Sequence, residues 1–186
     1  MTASSGFTIP HLETSRLVLR GHTLADLDAS LSLWSDPEIV RYIGGRVASR
    51  EDVWARLQRY VGHWALSGYG FWLVRERATD ALVGEVGIAD FKRALGTADD
   101  HGVPEAGWVI ARAAQGRGYA VEAMRAALAW ADRHPSIGAR TTCLIEVGNE
   151  PSIRVASKLG YAERVRTTYK GDPVILYERL ASAAAK

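Results

Sequence analysis

The chain has 186 residues, 23 Lys and Arg against 21 Asp and Glu, and a formal charge of +2. That length suits one domain with a real core, and 47% hydrophobic with 24% charged residues excludes a disordered or fibrous chain. The charge balance lacks the basic excess of a nucleic-acid binder and leaves room for only a local anion site.

The single cysteine, Cys143, excludes an internal disulfide or a cysteine metal cluster. Within "TTCLIEV" it reads as a small buried hydrophobe. The five histidines show no ligand spacing, so no metal is expected. The start, "MTASSGFTIP", lacks a secretory pattern, and no apolar run nears the roughly 18 residues of a membrane span. A cytoplasmic protein with no membrane partner is expected.

In chain order, residues 1–12 are expected to be flexible, and "RLVLR" alternates as a first strand. Leu24, Leu27, Leu31 and Trp34 recur at helical spacing behind Thr23 as N-cap. Asp36 and Pro37 open a short second helix. Ser49 and Asp52 form a capping-box pattern before a stripe of Val53, Leu57, Val61 and Trp64, which Gly68 and Gly70 end. "GFWLVRER" and "ALVGEVGIADF" read as a hairpin about Thr79–Asp80. After a flexible loop, 93–102, come the strand "EAGWVI", a glycine stretch, and a helix to about His134. "RTTCLIEV" is a strand, "PSIRVASKLG" a short helix, and "YAERVRTTY" with "DPVILYERL" a closing strand pair before an Ala-rich tail, 181–186. Strand, helix and strand in one sheet demand a parallel pair with a right-handed crossover. The expected fold is a single α/β domain, core 14–180, with a mixed, mostly antiparallel sheet and flanking helices. Trp34, Trp64 and Trp130 fall on helical stripes and read as core; Trp72 and Trp108, on strands, read as core or as pocket lining.

"AAQGRGYAVEA" places Gly116 and Gly118 between a strand and a helix. Amides of such a loop, with the positive end of the helix, suit a phosphate, and Arg112 and Arg117 flank it. A plain strand-to-helix turn accounts for the residues equally well. There is no Gly-Lys-Ser/Thr, and Val121 replaces the third glycine of a dinucleotide fingerprint.

"QGRGYA", Gln115 to Ala120, resembles the Gln/Arg-x-x-Gly-x-Gly/Ala signature of the GNAT acetyltransferases, with "EAGWVI" upstream and "NEPSIRVASKLGY" downstream as that family has them. The opening "TSRLVLRGHTLADLDASLSLWSDPEIVRYIGG" resembles the branch containing ribosomal-protein N-terminal acetyltransferases. The likeness runs from about Thr14 to Leu180. It implies acetyl-CoA as co-substrate and transfer to a primary amine, either a protein N-terminus or a small molecule. A homodimer follows by the same analogy, and a binding protein that has lost turnover is the alternative.

The resemblance implies that the amides of Gln115, Gly116, Arg117, Gly118, Tyr119 and Ala120 hold the pyrophosphate, with Tyr119 covering it or packing on its helix. The backbone of Val109, Ile110 and Ala111 pairs with the pantetheine arm as an added strand and offers an amide to the developing oxyanion. Asn149 reads as a helix cap, and the family adds a cofactor contact. Ser152 shares a face with Val155, Ala156 and Leu159, so its hydroxyl needs a partner. That partner is a carbonyl one turn back, or the CoA sulfur, to which Ser152 would donate as the acid. Arg154 and Lys158 form a basic pair for solvent or for the 3′-phosphate. Glu105 is the first candidate base and Glu85 the second, unless the amine arrives neutral; an ordinary surface carboxylate on a strand accounts for each equally well. Asp26, Asp28, Asp36 and Glu38 supply the acidity a polycationic acceptor would need, or are ordinary cap and surface residues.

Overall fold

A computed structural model describes residues 8–96 and 102–181. Eight strands among them form one mixed sheet: β1 (Leu12–Glu13), β2 (Leu17–Arg20), β3 (Phe71–Glu76), β4 (Leu82–Ala89), β5 (Glu105–Ile110), β6 (Arg140–Glu146), β7 (Ala162–Tyr169) and β8 (Asp172–Leu180). The spatial order is β1-β2-β3-β4-β5-β6-β8-β7, and only β5 and β6 run parallel. The helices are α1 (Leu27–Trp34), α2 (Pro37–Val40), α3 (Arg50–Ser67), α4 (Tyr119–Ala131) and α5 (Glu150–Lys158). The expected mixed sheet with one strand–helix–strand crossover is the fold observed.

Local chemistry sets the helix starts. Asp36 accepts from the Glu38 amide at 3.0 Å with Pro37 in the first turn, and Ser49 and Asp52 cap each other's amides at 3.1 and 2.9 Å. Gly68 closes α3 in the left-handed conformation, φ 76°. Thr23 is capped by Asp26, but residues Leu24–Asp26 wind as a 3₁₀ turn before α1 begins. That tighter turn puts the first residue of the expected stripe out of phase, and Leu24 is 71% exposed. In α3 the buried face is Val53, Leu57, Tyr60 and Trp64, with Val61 at its margin.

Residues 8–13 are tied down. Pro10 accepts from the Trp72 indole at 2.8 Å, and β1 pairs Leu12 with Leu19, so this part of the expected flexible start is held by the fold, while residues 1–7 lie outside the described residues. Residues 97–101 of the expected loop and 182–186 of the tail lie outside the described residues.

Alternation on β4 separates the two layers. Val86 and Ile88 pack with Met124, Ala127 and Leu128 of α4, in a core that takes in Cys143, Ile145 and Ala156 of α5. Glu85, on the opposite face, is bonded by Ser30 and Trp34 of α1. So α4 and α5 cover one face and α1–α3 most of the other, although Trp64 joins the first core through the Trp72 and Trp130 rings, 4.8 and 5.5 Å away.

Candidate active site

Strand β5 pairs with β4 along its whole length but meets β6 at one position, Glu105 opposite Thr142. There the Thr142 amide donates to the Pro104 carbonyl at 3.0 Å. Beyond it the two strands separate toward their carboxyl ends, where α4 and α5 begin. The Ala111 amide donates to the Val83 carbonyl at 2.8 Å. In an antiparallel ladder this aims the backbone of Val109 and Ala111 at β4, and that of Trp108 and Ile110 into the gap. The expectation for Val109 and Ala111 is therefore corrected, because the Val109 backbone and the Ala111 amide are spent on β4 and the Ala111 carbonyl accepts from the Ala114 amide at 2.8 Å. Trp108 takes their place beside Ile110, whose carbonyl accepts from the Gln115 side chain at 3.0 Å.

Gly116 and Gly118 have φ of 74° and 79°, and a Cβ on Gly116 would meet nothing within 4 Å. The torsion, not crowding, requires glycine there. The turn delivers the chain into α4, whose first amides have no partners within the helix. They border a cavity of about 950 Å³ lined by Gln115, Gly116, Gly118 and Ala120, with Arg154 and Lys158 reaching it from α5. Two cations facing a helix N-terminus favour an anion. Arg112 also lines it, its Nε 3.1 Å from Asp36. The Arg117 side chain is engaged elsewhere, 2.7 Å from Glu76 and over the Tyr119 ring at 4.6 Å. Tyr119 is 2% exposed, stacked between Arg16 and Arg117, with its hydroxyl on Glu76. Of the two expectations for Tyr119, packing is the one its ring and hydroxyl contacts match.

Asn149 caps α5, its Oδ1 accepting from the Ser152 amide at 3.3 Å. The Ser152 hydroxyl is half-buried and bonds to no described residue, so the carbonyl one turn back does not hold it. Asn149 and Ser152, with Trp108, Val109, Tyr42 and Ile43, line both the larger cavity and a second one of about 520 Å³. The two spaces meet at these residues, where the opened strands and α5 converge.

Glu105 lies at the closed end of the gap, four residues or about 13 Å of strand from Val109. Arg93 grips its carboxylate twice, at 2.7 and 3.0 Å, and stacks on the Phe91 and Tyr169 rings. Burial pushes the Glu105 carboxyl up, against the pull of Arg93. Glu85 is fully buried and accepts from Ser30 Oγ at 2.8 Å and Trp34 Nε1 at 2.9 Å, with the His22 ring 3.5 Å away. Glu146, at the end of β6, lines the smaller cavity, and its carboxyl is raised by burial and by Asp172. The four acidic residues of the first half do not line this cavity. Arg20 holds Asp26 bidentately, and, although burial opposes it, that grip brings the Asp26 pKa to about 2. Asp28 pairs with Arg50, Asp36 caps α2, and Glu38 lines the larger cavity.

The family model for the acetyltransferase (GNAT) domain matches residues 16–162. This chain belongs to the GNAT acetyltransferases. It is 32% identical over 152 residues to the uncharacterized protein YkkB of Bacillus subtilis, covering 79% of this chain and 81% of YkkB. A GNAT-family acetyltransferase structure from Bordetella pertussis superposes with a TM-score of 0.79 at 33% identity, covering 91% of this chain and 99% of that one. A Salmonella typhimurium acetyltransferase that modifies the N-terminal serine of ribosomal protein L7/L12 shares the fold, with a TM-score of 0.73 at 16% identity over 91% and 97% of the two chains.

Within the GNAT frame, the sequence left several lining residues unmarked. Arg56 and Arg59 of α3 were among them, and Arg93 fell in the expected loop. Glu146 sits just ahead of the Asn149 turn, its carbonyl accepting from the Asn149 amide at 3.1 Å. A carboxylate ending a strand three residues before a capping Asn was the available signal. Among the described residues no group of His, Cys, Asp or Glu is placed to hold a metal, and no helix is long and apolar enough to cross a membrane.

Proposed function

We propose that this acetyl-CoA-dependent acetyltransferase moves the acetyl group directly to a primary amine, a protein N-terminus or a small molecule, held in the smaller cavity. The observation that carries the reading is the meeting of the two cavities at Trp108, Asn149 and Ser152, where β5 leaves β6. The phosphate-bearing end of acetyl-CoA suits the Gln115–Ala120 amides with Arg154 and Lys158, and its pantetheine arm suits the backbone edge of Trp108 and Ile110. Acetyl-CoA supplies an activated thioester carbonyl.

The chain's own residues supply the rest. An inward amide on β5 faces the oxygen on which charge develops. The Ser152 hydroxyl, without a partner among the described residues, donates to the departing sulfur. Glu146, whose side chain bonds to no described residue and which lies at the Asn149 end of the cavity, takes the amine proton, while Glu105 holds Arg93 in place. Cys143 is buried and its thiol is raised well above the ordinary value, so a covalent route through it is disfavoured, which supports direct attack.

Thermal unfolding with saturating acetyl-CoA tests the first step. At 100 times its dissociation constant the ligand adds about 2.7 kcal/mol, and an Arg154→Glu/Lys158→Glu variant on the exposed side of α5 should lose most of that gain. No stabilisation of the folded wild type would sink the proposal. Stabilisation without thiol release across a broad amine panel would identify a binding protein instead.

A further inference from the structure

We infer that the acceptor amine also carries a carboxylate, which Arg56 and Arg59 bind. This rests on the transfer reading above. The two arginines are three residues apart on α3, so they share a face, and both line the smaller cavity. Arg56 lies over the Trp34 ring at 3.5 Å, which fixes its plane, and its Nε is buried without a hydrogen-bond partner. Arg59 has guanidinium neighbours, Arg56 and Arg93; lost water and these like charges lower its pKa. Arg93 is spoken for by Glu105, and Glu85 by Ser30 and Trp34. Among the described residues no carboxylate forms a close ion pair with Arg56 or Arg59, although the buried Glu85 acts on Arg59 from a distance and offsets part of that lowering.

Crowded, partly desolvated guanidinium groups with no carboxylate in hydrogen-bond contact favour an anion between them. A planar carboxylate matches their fork, accepting two parallel hydrogen bonds. The other end of the cavity has the opposite sign. Glu146 and Asp172 line it with Asn149 and Ser152, next to the transfer point, and burial together with Asp172 raises the Glu146 carboxyl. Lys170 also lines the cavity, near the Tyr169 ring. An acceptor with its ammonium toward Glu146 and its carboxylate toward Arg56 and Arg59 satisfies both ends. A polyamine would set a second ammonium against the arginines.

Matched acceptors test this, with release of free CoA thiol as the readout. One arm compares L-phenylalanine and β-alanine with their amides. A second compares C-terminally amidated Ala-Asp and Ala-Asn peptides, and spermine is the cationic control. The carboxylate member of a pair is expected to be faster in kcat/KM by at least about tenfold, and the arm showing the contrast identifies a free amino acid or an acidic N-terminus as the source. Arg59→Gln, at an exposed position, should abolish the contrast while leaving the KM for acetyl-CoA unchanged, and Arg56→Gln should do the same. Equal rates, a preference for amides or spermine, a contrast that survives Arg59→Gln, or no acetylation of any carboxylate-bearing amine by protein that acetyl-CoA still stabilises, would each overturn the inference. Failure of acetyl-CoA to stabilise the wild type would instead overturn the transfer reading, and this inference with it.

Discussion

Replacing Glu85 with Gln probes the buried polar cluster that ties α1 to β4 beside the smaller cavity. The carboxylate accepts from Ser30 Oγ at 2.8 Å and from Trp34 Nε1 at 2.9 Å. Bonds to a charged acceptor contribute about 1.5–3 kcal/mol each, against about 0.5–1.5 for neutral ones. In the variant the Gln oxygen must serve Trp34, which can only donate, while its NH₂ turns to the Ser30 hydroxyl, which can reverse to accept. Both bonds survive as neutral ones, so the expected loss is about 2–3 kcal/mol. For a domain of this size that lowers Tm by about 4–12 °C. Glu85→Leu strands both donors and should cost more. Burial pushes the Glu85 carboxyl up, but the neighbouring His22, Trp34 and Ser30 outweigh it, and the folded group sits below its ordinary value. The advantage of the carboxylate is then complete above the unfolded value of about 4.3, and fades as pH falls through the lower folded value. Urea unfolding of wild type and Glu85→Gln at pH 7, then in steps toward pH 3, measures the gap. Equal stability at pH 7, or a gap that widens on acidification, would refute the reasoning.

Ser152→Ala should lower kcat by about 100-fold, with little change in the KM for acetyl-CoA, if its hydroxyl protonates the sulfur; a kcat within about twofold of wild type in a thiol-release assay removes that role. Glu146→Gln should erase the acid limb of the kcat/KM profile. In the wild type burial and Asp172 raise the group from its ordinary value, so activity is expected to climb as pH rises through that raised pKa. Glu105→Gln should keep the limb, and its disappearance there would transfer the base role to Glu105.

Legibility in the sequence followed the distance over which each interaction acts. The starts of α2 and α3 were readable because a cap and its amide lie two or three residues apart, as with Asp36 and Glu38 or Ser49 and Asp52. The glycine loop was readable because its torsions leave a residue signature. Strand β1 was not, since two residues, Leu12 and Glu13, are too short to display alternation. The inward edge of β5 depends on ladder parity, which no side chain records, so the sequence pointed to Val109 where the backbone of Trp108 is the one that faces the gap. Charges paired across long separations were equally hidden. Nothing near Arg117 announces Glu76, 41 residues away, and Glu85 meets Ser30 across 55 residues. Arg93 and Glu105 sit on either side of a loop, and their pairing turned an expected free base into a held carboxylate.

The lone ladder pair between Glu105 and Thr142 also bears on how the chain fails under stress. Sheets usually guard their unpaired edges because such edges recruit other chains. Here two edges, those of β5 and β6, face each other inside the molecule and are sheltered by mutual proximity. Any excursion that parts the halves bares both at once, one beside the apolar surface of Trp108 and the other beside that of Leu144. A ligand seated in the gap then acts as a guard against self-association as well as a source of stability, and the unliganded protein is the form whose solubility heat or crowding erodes first.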